Sequence, residues 1–128
     1  MEQPVEGKVS TYSRTFTAEE VQQFADVSGD DQPRHTEPDE DGRVMVQGLL
    51  TATMPTKLGG DVEVLAHSMD LQFLKPVYTG EEITCRSMTD TVTERDDRYE
   101  VTFDVVCEDE DGEAVLRATI DGMIFKDE

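Results

Sequence analysis

The chain of 128 residues has no tryptophan, two cysteines, two histidines, and 11 lysines and arginines against 30 aspartates and glutamates. A formal net charge of −19 repels polyphosphate, which argues against nucleic acid as a partner. No apolar run approaches the roughly 18 residues that a bilayer span needs, so no membrane partner is expected. The opening MEQPVEGK also lacks the apolar core of a signal peptide, and the expected location is the cytoplasm. Cys85 and Cys107 sit in strand-like segments with no CxxC spacing and no histidine beside them, which points to two buried thiols and away from a metal site or a redox motif.

What is present is enough for one core. The length fits a single domain, residues 1–128, with one site that a second copy of the chain can complete. The acidic residues are interleaved with Val, Ile, Phe and Leu, the pattern of a solvated surface on a folded domain and not of a disordered tail. A pI near 4.2 with few lysines resembles proteins that stay soluble in concentrated salt, and a halophilic source is expected.

Local signals divide the chain in two. Thr17-Ala18-Glu19-Glu20 has the form of a capping box, and Val21, Phe24 and Ala25 share one face of the short helix it would start, ending at Ser28-Gly29. Residues 29–43, with two prolines and two glycines and no apolar period, read as an ordered loop. Met45 to Leu58 reads as a largely buried helix, kinked at Pro55 and stopped by Gly59-Gly60. Beyond it the period changes to two: Tyr99, Val101, Phe103, Val105 and Cys107 alternate with polar residues. Val62 to Leu74, Glu82 to Val92 and Ala114 to Phe125 also read as extended, with a tight turn at Asp111-Gly112 and a looser one at Asp96-Asp97. Helices early and strands late imply an α+β fold in which an antiparallel sheet wraps a buried helix.

The chemistry is concentrated in Ser28-Gly29-Asp30-Asp31-Gln32-Pro33-Arg34-His35, where a histidine follows an aspartate by five residues across a proline-stiffened turn. A carboxylate beside an imidazole can take a proton from water and return one elsewhere, as hydration and dehydration require. Together with Gln47-Gly48-Leu49-Leu50 and the stretch Phe73-Leu74-Lys75-Pro76-Val77-Tyr78-Thr79-Gly80-Glu81, this segment resembles the MaoC-like dehydratases and (R)-specific enoyl-CoA hydratases. Their signatures are SGD-x-N-P-x-H, then HGM or PGM opening a buried helix, then FLRPV-x-x-GD, and the three stretches come here in that order, framing residues 16–125. Gln32 stands where the family usually has Asn, and Gln47 where it has His or Pro.

The resemblance implies a hot-dog fold and reversible hydration of a 2-enoyl-CoA to an (R)-3-hydroxyacyl-CoA, with Asp30 and His35 activating the water. Gly48, opening the buried helix, can offer its backbone N–H to the thioester oxygen. No cofactor is expected beyond the coenzyme A of the substrate, no metal, and the implied assembly is a homodimer or dimer-based oligomer. An acyl-CoA thioesterase on the same fold and a non-catalytic acyl-CoA-binding domain are the competing readings. Thr56 and His67 read as ordinary helix and sheet residues, and Lys57, Lys75, Arg34 and Arg86 are equal candidates for the phosphates of coenzyme A.

The charge carries a prediction of its own: because carboxylates repel over long distances at low ionic strength, the melting temperature should climb steeply as salt is added. Indifference to salt in a thermal melt would rule out the halophilic reading.

Overall fold

The computed structural model describes residues 3–126. It opens with a strand, β1 (Val9–Thr15), whose inward positions are Ser10, Tyr12 and Arg14, so that hydrophobic alternation does not announce it. Thr17 then caps α1 (Ala18–Ser28) as a complete capping box: its hydroxyl accepts from the Glu20 N–H at 3.2 Å, and the Glu20 carboxylate accepts from the Thr17 N–H at 3.0 Å. Val21 and Ala25 are buried, and Gly29, at φ 79°, ends the helix in the left-handed conformation that favours glycine.

The segment read as a loop contains one helical turn, α2 (Pro33–Thr36). Pro33 stands at its first position, where a fixed φ is an advantage and the missing N–H is not needed.

The single helix expected over Met45–Leu58 is two. Met45 and Val46 are extended, with Met45 bridging Tyr78 and the Val46 N–H donating to the Val77 carbonyl at 2.8 Å. Helix α3 (Gly48–Thr51) and helix α4 (Thr53–Asp61) meet at Ala52. Pro55 has no N–H for the Thr51 carbonyl and its ring crowds that oxygen, so the break falls a turn before the proline and not at it. Gly59 and Gly60 do not stop α4, because neither adopts a left-handed φ; that conformation falls on Glu63, at φ 58°. The following strand, β2 (Leu65–Phe73), therefore starts three residues later than Val62.

Strands β3 (Glu82–Glu94), β4 (Arg98–Glu108) and β5 (Ala114–Phe125) complete an antiparallel sheet in the order β1-β3-β4-β5-β2. The two expected turns exchange character. Asp96-Asp97 makes the tight one, closed by the Arg95 N–H on the Arg98 carbonyl at 2.7 Å. Residues 109–113 make the looser one, because the Asp109 carboxylate accepts from the N–H groups of Asp111 and Glu113, both at 3.0 Å, while Gly112 takes φ 79°.

The concave face of the sheet closes over α3 and α4, with Phe16, Met54, Ile83 and Leu116 fully buried between them. This is the α+β hot-dog arrangement. Cys85 and Cys107 face each other across β3 and β4 as buried free thiols. Just before α3, Gln47 is 2% exposed and donates from Nε2 to the Val21 carbonyl at 3.1 Å, tying the start of the buried helices to α1. Its Oε1 is buried with no hydrogen-bond partner among the described residues.

Gln47→Glu should therefore cost about 3 kcal/mol or more at neutral pH, because it sets a buried carboxylate against the Val21 carbonyl. Denaturant titration checks this. The deficit should shrink as the pH falls, since the site tolerates only the neutral acid.

Candidate active site

Asp30 follows the αL glycine that ends α1, and its N–H is held by the Ser28 hydroxyl at 3.0 Å. Gln32 donates from Nε2 to Asp30 Oδ1 at 2.7 Å, which orients the carboxylate and leaves Oδ2 free to face His35. His35 sits in α2, 7% exposed, with Nδ1 2.7 Å from the Met45 carbonyl. A carbonyl only accepts, so Nδ1 carries the proton of the neutral ring and Nε2 keeps its lone pair. That lone pair lies 3.6 Å from Asp30 Oδ2.

An ionised carboxylate and a neutral imidazole protonated on Nδ1 are both acceptors. They cannot satisfy each other across that gap; a molecule with two donors, such as water, can satisfy both. The pair proposed from sequence spacing is thus brought together, with the Met45 carbonyl deciding its proton arrangement. Two contributors were not picked out as site residues. Gln32 could have been found from its place two residues after Asp30, whereas a backbone carbonyl leaves no signal in a sequence.

His35 opens onto a hollow of about 320 Å³ shared with Arg34, Gly48, Thr51 and Phe73. Gly48 is the first residue of α3, where the N–H has no acceptor within the helix. Its lack of a side chain also has a packing cause: a Cβ there would lie 2.8 Å from Phe73 Cε1. Thr56 bonds back to the Ala52 carbonyl at 3.0 Å, and His67 lies exposed at the bulge of β2 between Ala66 and Ser68, outside this hollow. Among the described residues no three His, Cys, Asp or Glu side chains group as metal ligands.

A second hollow, of about 290 Å³ and mainly apolar, is lined by Pro55, Thr56 and Gly59 from α4, by Ala66 and Met69 from β2, and by the N-terminal segment. The first hollow takes Gly48 and Thr51 from α3 and Phe73 from β2, whereas the second takes its helical lining from α4 and Met69 and Ala66 from β2. The second hollow also reaches across the sheet, to Ser87 and Thr89 of β3, Phe103 of β4, and Ile120 and Ile124 of β5.

Comparison with known proteins fits this geometry. The model of the MaoC like domain matches residues 1–110. The mitochondrial 3-hydroxyacyl-[acyl-carrier-protein] dehydratase of Arabidopsis thaliana is 29% identical, over 91% of this chain and 72% of that protein. An (R)-hydratase from A. caviae involved in PHA biosynthesis superposes with a TM-score of 0.82 at 23% identity, over 95% of this chain and 98% of the other. A MaoC-like dehydratase from Rhodospirillum rubrum gives 0.78 at 21% identity, over 98% and 95%. At such identities the superpositions establish the shared hot-dog fold, and the match over residues 1–110 establishes the kinship: this chain belongs to the MaoC-like dehydratase domain family.

Proposed function

We propose that the protein catalyses the reversible hydration of a 2-enoyl-CoA to an (R)-3-hydroxyacyl-CoA. The observation that carries the reading is the approach of Asp30 Oδ2 to His35 Nε2, 3.6 Å apart, with His35 on the wall of a hollow that also holds Gly48. A water between them donates one hydrogen to each. Its oxygen bonds to the β-carbon of the enoyl thioester, one hydrogen passes to the pair, and the double-bond electrons move onto the thioester oxygen. The Gly48 N–H stabilises the charge gathering there, and the proton held by the pair is returned to the α-carbon. The reverse sequence removes water. Acid–base groups and water balance the reaction, so no cofactor or metal enters it.

The apolar hollow beside α4 supplies room for the rest of the acyl chain. With the thioester at Gly48, the acyl chain follows α4 into the apolar hollow. The β2 edge carries exposed Leu65, Met69 and Phe73, which supports pairing with a second copy of the chain. The A. caviae protein, named as an (R)-hydratase, supports the (R) configuration; the Arabidopsis relative is named for acyl-carrier-protein substrates, and coenzyme A as the carrier rests on the sequence resemblance.

The deciding assay follows enoyl-thioester absorbance at high salt with crotonyl-CoA and a longer enoyl-CoA, with a thiol reagent in parallel. Absorbance loss without thiol release is expected. Thiol release would make the protein a thioesterase, and silence in both channels would favour a binding domain or a substrate outside the two tested. Asp30→Asn and His35→Ala should each lower turnover at least about a hundredfold with the fold intact, the melting temperature unchanged in the first and lowered in the second, which loses the bond to the Met45 carbonyl. Gly48→Ala should push the half-exposed Phe73 ring aside with little loss of stability and lower turnover at least about tenfold. Alanine keeps the N–H, so if adding Phe73→Ala to that variant restores turnover, the loss came from the displaced ring and not from a side chain crowding the thioester oxygen at position 48.

A further inference from the structure

Four cations were equal candidates for the phosphates of the substrate's carrier, and the ion pairs separate them. Lys57 is bound to Asp61 at 2.6 Å, one turn along α4. Arg86 pairs with Glu108 across β3 and β4. Lys75 borders the catalytic hollow but is held by Asp109 at 2.6 Å and Glu113 at 2.5 Å. These bonds raise the pKa of its ammonium and, with Asp109 lowered by the same contact, leave the cluster net negative. Arg34 alone of the four has no ion pair among the described residues, and it is exposed, adjacent to His35 and on the wall of the same hollow. Arg117 is likewise unpaired among the described residues, but it lies in a different hollow on the sheet, beside Asp70 and Asp104.

A chain with a net charge of −19 repels any phosphorylated ligand, so a site for one needs a local positive charge that is not already neutralised. A guanidinium is suited to this, because it stays charged and presents paired donors to phosphate oxygens. We propose that Arg34 anchors a phosphate of the substrate's carrier, holding the thioester over His35. The proposal rests on the hydratase reading and adds to it the recognition of a phosphorylated pantetheine arm. The phosphate is either the one on the pantetheine itself, common to coenzyme A and acyl carrier protein, or one in the nucleotide half that only coenzyme A has.

The test uses Arg34→Gln, which removes the charge and keeps most of the side chain's reach. Hydration is measured with crotonyl thioesters of coenzyme A, of 4′-phosphopantetheine and of plain pantetheine, which has no phosphate. The expected result is a KM raised about tenfold or more for a phosphorylated thioester, with kcat unchanged and the pantetheine thioester unaffected. A penalty on both phosphorylated substrates assigns the contact to the arm's own phosphate, and a penalty on the coenzyme A thioester alone assigns it to the nucleotide half. An unchanged KM throughout, or an equal loss on plain pantetheine, overturns the proposal.

Calorimetric binding of coenzyme A alone separates this outcome from failure of the hydratase reading. Coenzyme A bound by the wild type and more weakly by Arg34→Gln, in a protein silent toward enoyl thioesters, would keep the anchor and remove the reaction. Hydration indifferent to the charge of Arg34 would do the opposite.

Discussion

The backbone of Met45 holds the segment that carries His35 in place. Its N–H donates to the Arg34 carbonyl at 2.9 Å and its carbonyl accepts from His35 Nδ1 at 2.7 Å, so a helical turn of four residues is clamped from both sides. The same residue bridges Tyr78, which links the clamp to the strand-like segment leading into β3. An imidazole buried in so short a helix would otherwise leave a polar nitrogen unsatisfied, at a cost of about 1–3 kcal/mol. Satisfying it through Nδ1 leaves Nε2 as the basic atom, turned toward Asp30. A structural bond thereby sets the chemical state of the ring.

A second constraint is the proline in the buried helical run. Pro55 interrupts the hydrogen-bond ladder one turn upstream, at Ala52, and the two pieces line different hollows. The short piece places Gly48 and Thr51 beside His35, and the long one carries Pro55, Thr56 and Gly59 along the apolar hollow. Gln47 anchors the start of the first piece to α1 through the Val21 carbonyl. The glycine that follows it is hemmed by Phe73 and opens α3, so close packing and an N–H without an acceptor in the helix coincide at one residue.

The acidic surface leaves few cations, and most of these are occupied. Pairs such as Lys57 with Asp61 and Lys126 with Glu94, at 2.6 Å each, are exposed and contribute little stability individually. Their collective consequence is for ligand binding, because a neutralised lysine attracts no phosphate. Exposure and sign alone would have favoured Lys75 as much as Arg34; the partners distinguish them.

Where structure depends on neighbours within a few residues, the sequence by itself determined the outcome. The Thr17–Glu20 capping box, the glycine end of α1, the alternating strands of the second half and the nearness of Asp30 to His35 are set by local hydrogen bonds, φ preferences and side-chain period. Strand β1 escaped because its inward positions are polar and it is held by pairing with β3, distant in the chain. The turns exchanged roles because the Asp109 carboxylate reached two N–H groups that no dipeptide rule includes. Only the tertiary structure decided which ring nitrogen of His35 meets the Met45 carbonyl, the hollow beside α4, and which arginines lack an ion pair among the described residues. Each of these depends on a backbone carbonyl, a facing wall or a counter-charge brought in from elsewhere in the fold, and such partners are selected by packing and not by proximity along the chain.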